Sequence, residues 1–536
     1  LSFSKRILTK RDAAATQYLA GLSARSTSDE SASFKLGRRE RAQGRTPVAR
    51  DGNSQILSSN PLMNNRLREA YLNVPMVKRA TNLFRDFIVG QGIQTFLDPF
   101  DWSFGFDLRR RDDDEFLHSL NVSLEMDEKF KRWGENPKFC DVSGKKCLVE
   151  IQRLAISEEV LTGDSIVLKG KPADSNSPVP WALMVIEREQ LDIHRDRSFS
   201  SSDQFSFDTA VINGFVIDRL GRELGCYIHD VHPEGYFRSS GHSEFIPANN
   251  YYHIFSSYRP SQHFGATWLH GLGQLAIDRD LLTDAELKKA RKQALIAFIH
   301  KSSTPDLPVF GMDDLENFAE DVIESASEIR MGENTIAQTI GVDEEIELVE
   351  SASPNNGADR FFEMIDHDAA AAVDLSFYSM TGQFGKTNYT GFRGASNLEN
   401  AQMLPLQYLF SQAFMLPMRQ EWNRDAVAYG HITQLSPKDF AADEERWQRI
   451  DCIGTGRYLI EPDKETEAAL TQMRSGLSHL KYECARQGKD FKNVLRSMAV
   501  VNRAANLVGV ILDYGKGNGG ENTSTTTEKT NQESND

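Results

Sequence analysis

Residues His270–His300 read HGLGQLAIDRDLLTDAELKKARKQALIAFIH, with neither glycine nor proline beyond Gly273. Leu, Ala, Lys and Asp dominate, which predicts one uninterrupted helix of about 45 Å at 1.5 Å per residue. Apolar Leu275, Leu282, Ala285, Leu295 and Phe298 are interspersed with Asp278, Arg279, Asp280, Lys288, Lys289, Arg291 and Lys292, as expected where one face packs and another meets water. An ordinary amphipathic surface helix would show the same periodicity, so the order of the segments that follow decides the reading. Residues 302–350 hold fourteen acids against the single base Arg330. A second helical pattern runs from Gly357 to Ser379, then a glycine-rich loop, Gly382–Ser396, then a third helical pattern from Leu398 to Ala428. Ser396 with Glu399 three residues on fits a capping box, and Pro405 and Pro417 predict a kinked helix.

Upstream, the apolar positions Leu67, Tyr71, Val77, Ala80, Leu83, Phe87 and Val89 recur at helical spacing, with Pro75 separating two helices and Gly90 and Gly92 ending the second. Between Cys140 and Tyr258 the pattern changes to short strands at Ser165–Lys169, Trp181–Glu187, Val211–Ile217, Gly225–Ile228 and Tyr251–Phe255, with turns at Asp174–Pro178 and Ser198–Asp203. Downstream, residues 461–512 are again helical, punctuated by Gly476 and Gly488, and the Gly, Asn, Thr and Ser of 515–536 predict a disordered tail. The fold class is α+β.

The chain of 536 residues has a net charge of −16, which argues against a surface built throughout to grip nucleic acid or anionic lipid and leaves room for a local basic site. Residues 1–50 form such a region, with eleven Lys or Arg against four acids, and read as a basic arm that orders against a partner or as a solvated leader. Five cysteines without a C-x-x-C pair suit a reducing compartment. No run approaches the roughly 18 apolar residues of a membrane span, and Lys5, Arg6, Lys10 and Arg11 interrupt any signal-peptide core. A soluble, unsecreted chain without membrane contact is expected.

Motifs for chemistry fail on context. Gly515, Gly517 and Gly520 satisfy G-x-G-x-x-G but open no helix. Gly385-Lys386-Thr387 resembles the end of a phosphate loop, yet Met380 stands where its first glycine belongs. Asp112, Asp113, Asp114 and Glu115 could suggest a metal-dependent nuclease, the alternative function, but consecutive carboxylates diverge, and a solvated turn is the expected form. H-E-x-x-H and G-x-S-x-G are absent, and Cys140 and Cys147 lack metal-ligand spacing. No catalytic residue, metal or cofactor is assigned.

The order of long helix, acidic excursion, returning helix, glycine loop and kinked helix resembles the portal proteins of tailed bacteriophages, specifically the lambda-type group. The resemblance is carried by Ile88-Val89-Gly90-Gln91-Gly92, Trp133 with Cys140-Asp141 and Gly144, Gly163-Asp164, Gly214-Phe215 with Gly221-Arg222, and Pro247-Ala248. It continues through His253-Ile254-Phe255, Tyr258-Arg259-Pro260-Ser261-Gln262, Gly265, Asp284-Ala285-Glu286-Leu287 with Ala290-Arg291, Asn388-Tyr389-Thr390-Gly391-Phe392-Arg393, Glu461-Pro462-Asp463-Lys464-Glu465, Gly476-Leu477 and Gly488-Lys489-Asp490. It covers roughly residues 15 to 510. Departures fall in loops: the family's Asn-Tyr-Ser-Ser-Ala-Arg is Asn-Tyr-Thr-Gly-Phe-Arg here, and its Arg-Gly is Phe264-Gly265.

The resemblance implies a non-enzymatic ring, commonly of twelve copies, at one capsid vertex of the virion, assembled in the host cytoplasm. Double-stranded DNA would be packaged and ejected through it without sequence specificity. Its partners would be the major capsid protein, the terminase motor and the head-tail adaptor. Mapped by motif, residues 51–269 would be a strand-rich wing, 270–301 and 356–380 two stem helices, 302–355 an acidic clip, 381–396 a tunnel loop, 397–430 the kinked tunnel helix and 431–514 the helical C-terminal wing and crown. The tunnel loop would bring Lys386, Asn388, Tyr389, Phe392 and Arg393 to the DNA, the alternative being a structural connector whose Arg393 pairs with a neighbouring carboxylate, with Lys288, Lys289 and Lys292 on the channel face of the stem. Asp313, Asp314, Glu316 and Glu320 of the clip would either repel phosphate in the bore or dock a partner.

Overall fold

The computed structural model describes residues 51–57, 59–99, 113–202, 205–236, 241–296, 329–330, 336–337, 358–385, 387–456 and 461–508. Two compact units are distinguished. The described part of the small one joins residues 51–55 to Arg259–Gln262, where the Gly52 N–H donates to Ser261 Oγ at 2.9 Å and the Asn53 side chain to Ser261 O at 2.6 Å. The large unit holds everything discussed below.

Helices α1 (Asn60–Asn73) and α2 (Pro75–Ile88) break where the sequence predicts, at extended Val74, because Pro75 disfavours helical geometry in the residue before it and suits the first helical position. Val77, Ala80, Phe84 and Ile88 form the buried stripe of α2. Helix α3 (Asp113–Glu135) starts inside the acidic run, so Asp113, Asp114 and Glu115 open a helix instead of a solvated turn; carboxylates suit that positive end. Helix α4 (Leu148–Thr162) ends at Gly163, whose φ is +94°. An added Cβ there would lie 2.4 Å from the Ala266 carbonyl carbon, and one at Gly265 would lie 1.9 Å from Gly163 O. These two glycines permit the close backbone approach on which that corner depends.

The strands are β1 (Gln94–Leu97), β2 (Asp164–Gly170), β3 (Ala182–Ile186), β4 (Arg197–Ser202), β5 (Phe205–Ile212), β6 (Phe215–Asp218), β7 (Glu223–His229), β8 (Ser243–Pro247), β9 (Tyr251–Phe255), β10 (Ile329–Arg330), β11 (Ile336–Ala337) and β12 (Ile450–Ile453). They form an antiparallel three-stranded sheet ordered β3-β2-β9, a five-stranded meander β4-β5-β6-β7-β8, and the pairs β1-β12 and β10-β11. Two expectations change. The run Val211–Ile217 is a hairpin, because Asn213 (φ +54°) and Gly214 (φ +81°) make a two-residue turn with both residues left-handed, and Ile212 then pairs with Phe215. Residues 198–202 lie in strand β4, which is the outer strand of its sheet, where solvent tolerates serines that a central strand would not.

The long helix, α5, spans His270–Ile296. It runs antiparallel to α6 (Ala358–Ala371): a Cβ on Gly271 would meet Ala372, while Arg279 binds Asp366. The 356–380 segment is not one helix. It stops after Ala371, passes Asp374 at φ +54°, and restarts as α7 (Phe377–Thr381) with Ser376 accepting the Ser379 N–H at its N-terminus. Helix α8 (Tyr389–Phe410) carries Pro405 within it and passes through a π turn, Ser411–Met415, into α9 (Leu416–Ala428). The Leu416 N–H closes that turn on Ser411 O, just before Pro417, which has no N–H to donate. Helices α10 (Pro462–Arg474), α11 (Leu480–Arg486) and α12 (Phe491–Val508) follow. No helix among the described residues is long and apolar enough to cross a membrane.

The main core is centred on Trp133, Trp181 and Trp422, with the Trp133–Trp181 ring centroids 5.4 Å apart and Phe130 edge-on to Trp422 at 5.2 Å. Arg419 is fully buried within it, its guanidinium 4.2 Å from the Phe130 centroid and 2.8 Å from Asp127 Oδ1. Burial drags that guanidinium down to about 10 against the opposing pull of Asp127. Lys492 of α12 reaches Asp127 Oδ2 at 3.3 Å, tying the C-terminal helices to the same carboxylate.

Candidate nucleic-acid interface

Asn388 decides where α8 begins. Its backbone is extended (φ −91°, ψ 165°) and its Oδ1 accepts the Gly391 N–H at 2.7 Å, so the helix starts at Tyr389. The predicted loop 381–396 therefore contracts to the connector between Thr381 and Asn388. The capping box at Ser396 does not form: Ser396 is inside the helix, and buried Glu399 accepts the Ser376 N–H at 2.8 Å and the Ser379 hydroxyl at 2.9 Å, holding α7 instead. At Gly391 an added Cβ would crowd Asn388 Oδ1 at 3.0 Å and Thr387 Oγ1 at 3.1 Å, which accounts for a glycine in a first helical turn.

Tyr389 and Arg393, one turn apart, share a face of α8. Both face Glu461, the residue before α10: Arg393 Nη1 donates to Glu461 Oε2 at 3.2 Å, desolvation and this carboxylate together raise the nearby Tyr389 phenol, and Lys464 Nζ lies 2.9 Å from Oε1. The Lys464 hydrogen bond, with Tyr389 and Arg393 adding to it, holds the Glu461 carboxyl below its usual range. Phe392 packs edge-on against Phe384 at 5.4 Å; Phe384 stacks on Tyr378, which meets Phe377. Rings thus staple α7, the connector and α8 together. Lys386 lies outside the described residues.

On α5, Leu272, Gly273 and Ala276 are buried, and Arg279 engages Asp366 through both carboxylate oxygens, stacked 5.6 Å from Phe362. Beyond Arg279 the helix emerges from cover: Leu281 is 61 % and Leu287 49 % exposed. Lys288 and Lys292 fall on one stripe of the helix with Leu281; Lys289 is turned away by one position and lies 4.0 Å from Glu286. The side chain of Lys292 is outside the described residues, as are Asp313, Asp314, Glu316 and Glu320. Helix α8 bares a second apolar stripe at Leu398, Leu404, Tyr408 and Leu409.

One group among the described residues brings three metal-ligand side chains together, Glu187, Glu189 and His232. Arg68 already binds Glu189 through both oxygens at 2.7 Å, a cation where a metal's charge would have to sit. Cys140 is buried and its thiol is pushed up to about 12, out of the range of a nucleophile. A cleft of about 840 Å³ is lined by Ile453, Leu480, Phe491 and Leu495 together with Asp451, His479, Lys481, Tyr482, Asp490 and Cys452, whose thiol burial pushes up to about 12, out of the range of a nucleophile.

The family described as phage portal protein, lambda family, matches residues 38–407, well over half of the sequence. The chain belongs to that family. Relatives include the portal protein of Escherichia phage N15, 21% identical over 491 residues that cover 87% of this chain and 89% of the relative. Portal protein B of Escherichia phage lambda is 21% identical over 393 residues, 69% of this chain and 72% of that one. Among solved structures, a chain from the neck of an empty gene transfer agent particle aligns with a TM-score of 0.36 at 12% identity, covering 79% of this chain and 93% of that chain. As a member of this family the protein is a structural component of a phage particle, the portal ring through which DNA is packaged, and not an enzyme.

Sequence reasoning named Asn388, Tyr389, Phe392 and Arg393 as one DNA-facing loop; the first turn of α8 brings Tyr389 and Arg393 to one face, while Asn388 is occupied as a cap and Phe392 as a staple. It left the carboxylate opposite Arg393 unnamed, which is Glu461, and missed Asp366 as the partner of Arg279 and Glu399 as that of Ser376 and Ser379. Glu461 stands before Pro462 at the head of a helix, a position that places a carboxylate at a helix end but says nothing of what lies opposite.

Proposed function

We propose that this portal protein closes into a ring of twelve copies at one capsid vertex, with a bore wide enough for double-stranded DNA, and that α5 and α6 form its stem. The reading is supported by the distal half of α5, which in a single copy leaves Leu281 and Leu287 uncovered beside a basic stripe. A closed ring needs two different faces of each subunit to meet, and a helix apolar on more than its inward face supplies the second. Lys288 and Lys292, with Lys386 and Arg393 nearer the tunnel helix, would touch phosphates without reading bases. The acidic segment containing Asp313, Asp314, Glu316 and Glu320 would dock the terminase motor and later the head-tail adaptor, its charge matching basic partner surfaces. Contact with the major capsid protein and assembly in the host cytoplasm complete the proposal.

Negative-stain imaging of the purified protein tests it. Annular particles are expected for the native chain and a loss of rings for Leu281→Ser with Leu287→Ser, with the fold retained by circular dichroism. A compact monomer at all concentrations would sink the ring.

A further inference from the structure

Arg393 is 40 % exposed and Glu461 makes one 3.2 Å contact with it. A guanidinium fork can take two oxygens of a phosphate side by side, a better fit than this single contact. Glu461 also binds Lys464 of its own helix and lies beside Tyr389, so one carboxylate at the head of α10 meets Arg393 and Tyr389 of the first turn of α8. We propose that Glu461 is an internal stand-in for a nucleic-acid phosphate: DNA backbone and Glu461 compete for Arg393, and DNA contact at the head of α8 therefore releases α10.

The proposal rests on the channel reading above, and deepens it by assigning the cation that meets phosphate and the group it must leave. Competition follows because both anions need the same guanidinium. Tyr389 shares Glu461, so the exchange frees the contact between α8 and α10 as a whole. DNA occupancy is thereby coupled to the C-terminal helices through one ion pair.

The test uses the assembled full-length protein and a short, labelled, mixed-sequence DNA duplex titrated at stepped salt. Glu461→Gln removes the charge but keeps the shape; it is expected to tighten duplex binding about fivefold at low salt and to steepen the salt dependence by about one phosphate contact. Adding Arg393→Ala should abolish that gain. In the unmodified protein, the duplex should raise amide hydrogen exchange over residues 462–474, a readout that needs no variant. Unchanged affinity in Glu461→Gln, a gain that survives Arg393→Ala, or exchange unaltered by DNA would each overturn the competition. Annular particles in the same preparations separate the two ideas: rings without these effects reject the competition alone, whereas no rings reject the channel.

Discussion

Two arginines sit on one helical run, Arg393 in α8 and Arg419 in α9, either side of a π turn, and they do opposite things. Arg419 is fully buried, with Asp127, Asn423 and the faces of Phe130 and Trp422 around it. Arg393 is partly exposed and held by one carboxylate. A charge without access to water depends on partners from its own chain, here Asp127 and Asn423 for Nη2 and Nε while Nη1 is buried without one, so it specifies packing; one at the surface is held weakly enough to be exchanged. The same contrast separates the two ends of α5, whose buried start is clamped by Arg279–Asp366 while its exposed continuation carries Leu281 and Leu287.

The most forceful way to break that comparison is Arg419→Ala. It leaves Asp127 in the core with Lys492 as its remaining cationic partner, opens a cavity beside Phe130 and Trp422, and should destabilise the chain by about 3–5 kcal/mol, lowering Tm and the denaturant midpoint; Arg419→Met, which fills the space without the charge, should recover part of the loss.

A buried histidine sharpens it through pH. His253 lies between Phe215 and Phe255 at 4.3 and 4.6 Å, its Nδ1 2.9 Å from Glu223 and its Nε2 3.3 Å from Asp164, which is itself bound to Arg188. Burial opposes the imidazolium, but Glu223 and Asp164 outweigh it and raise the group to about 9. Its stabilising effect is complete below the unfolded value near 6.5 and is lost as pH rises through about 9. Nearby Glu159, raised to about 7 by burial, acts in the same direction between about 4.5 and 7, because the folded state holds its proton longer. Urea melts across pH 5 to 10 should show stability falling with pH, and His253→Phe should flatten the alkaline part.

Smaller effects belong to the exposed end. Asn388→Ala removes the cap of α8 and should cost about 1 kcal/mol, seen as greater hydrogen exchange in its first turn. Arg393→Ala should change thermal stability by less than about 0.5 kcal/mol; a loss as large as that of Arg419→Ala would erase the distinction between the two arginines.

Local signals carried much of the fold. Pro75 divided α1 from α2, the uninterrupted run after Gly273 gave α5, and Gly476 and Gly488 separated the C-terminal helices, because proline and glycine act through backbone sterics that need no distant partner. Where two local signals competed, pattern alone chose wrongly. Both Asn388 and Ser396 can cap a helix, and Asn388 prevails because Glu399, the required partner of Ser396, is drawn inward to Ser376 and Ser379. In the hairpin at Asn213-Gly214 the signal was present but masked by continuous apolar residues on both sides.

From the sequence alone came the family, through motifs spaced along nearly the whole chain, and the charge, the helices and the position of the acidic segment, all of which are properties of residues in order. Only the tertiary structure decided that Arg393 faces Glu461 across 68 positions, that Arg279 meets Asp366, and that Asp127 is shared by Arg419 and Lys492. Periodicity fixes which face of a helix is apolar, whereas the partner of a charge is set by which elements converge in space, and convergence is a property of the whole chain's packing.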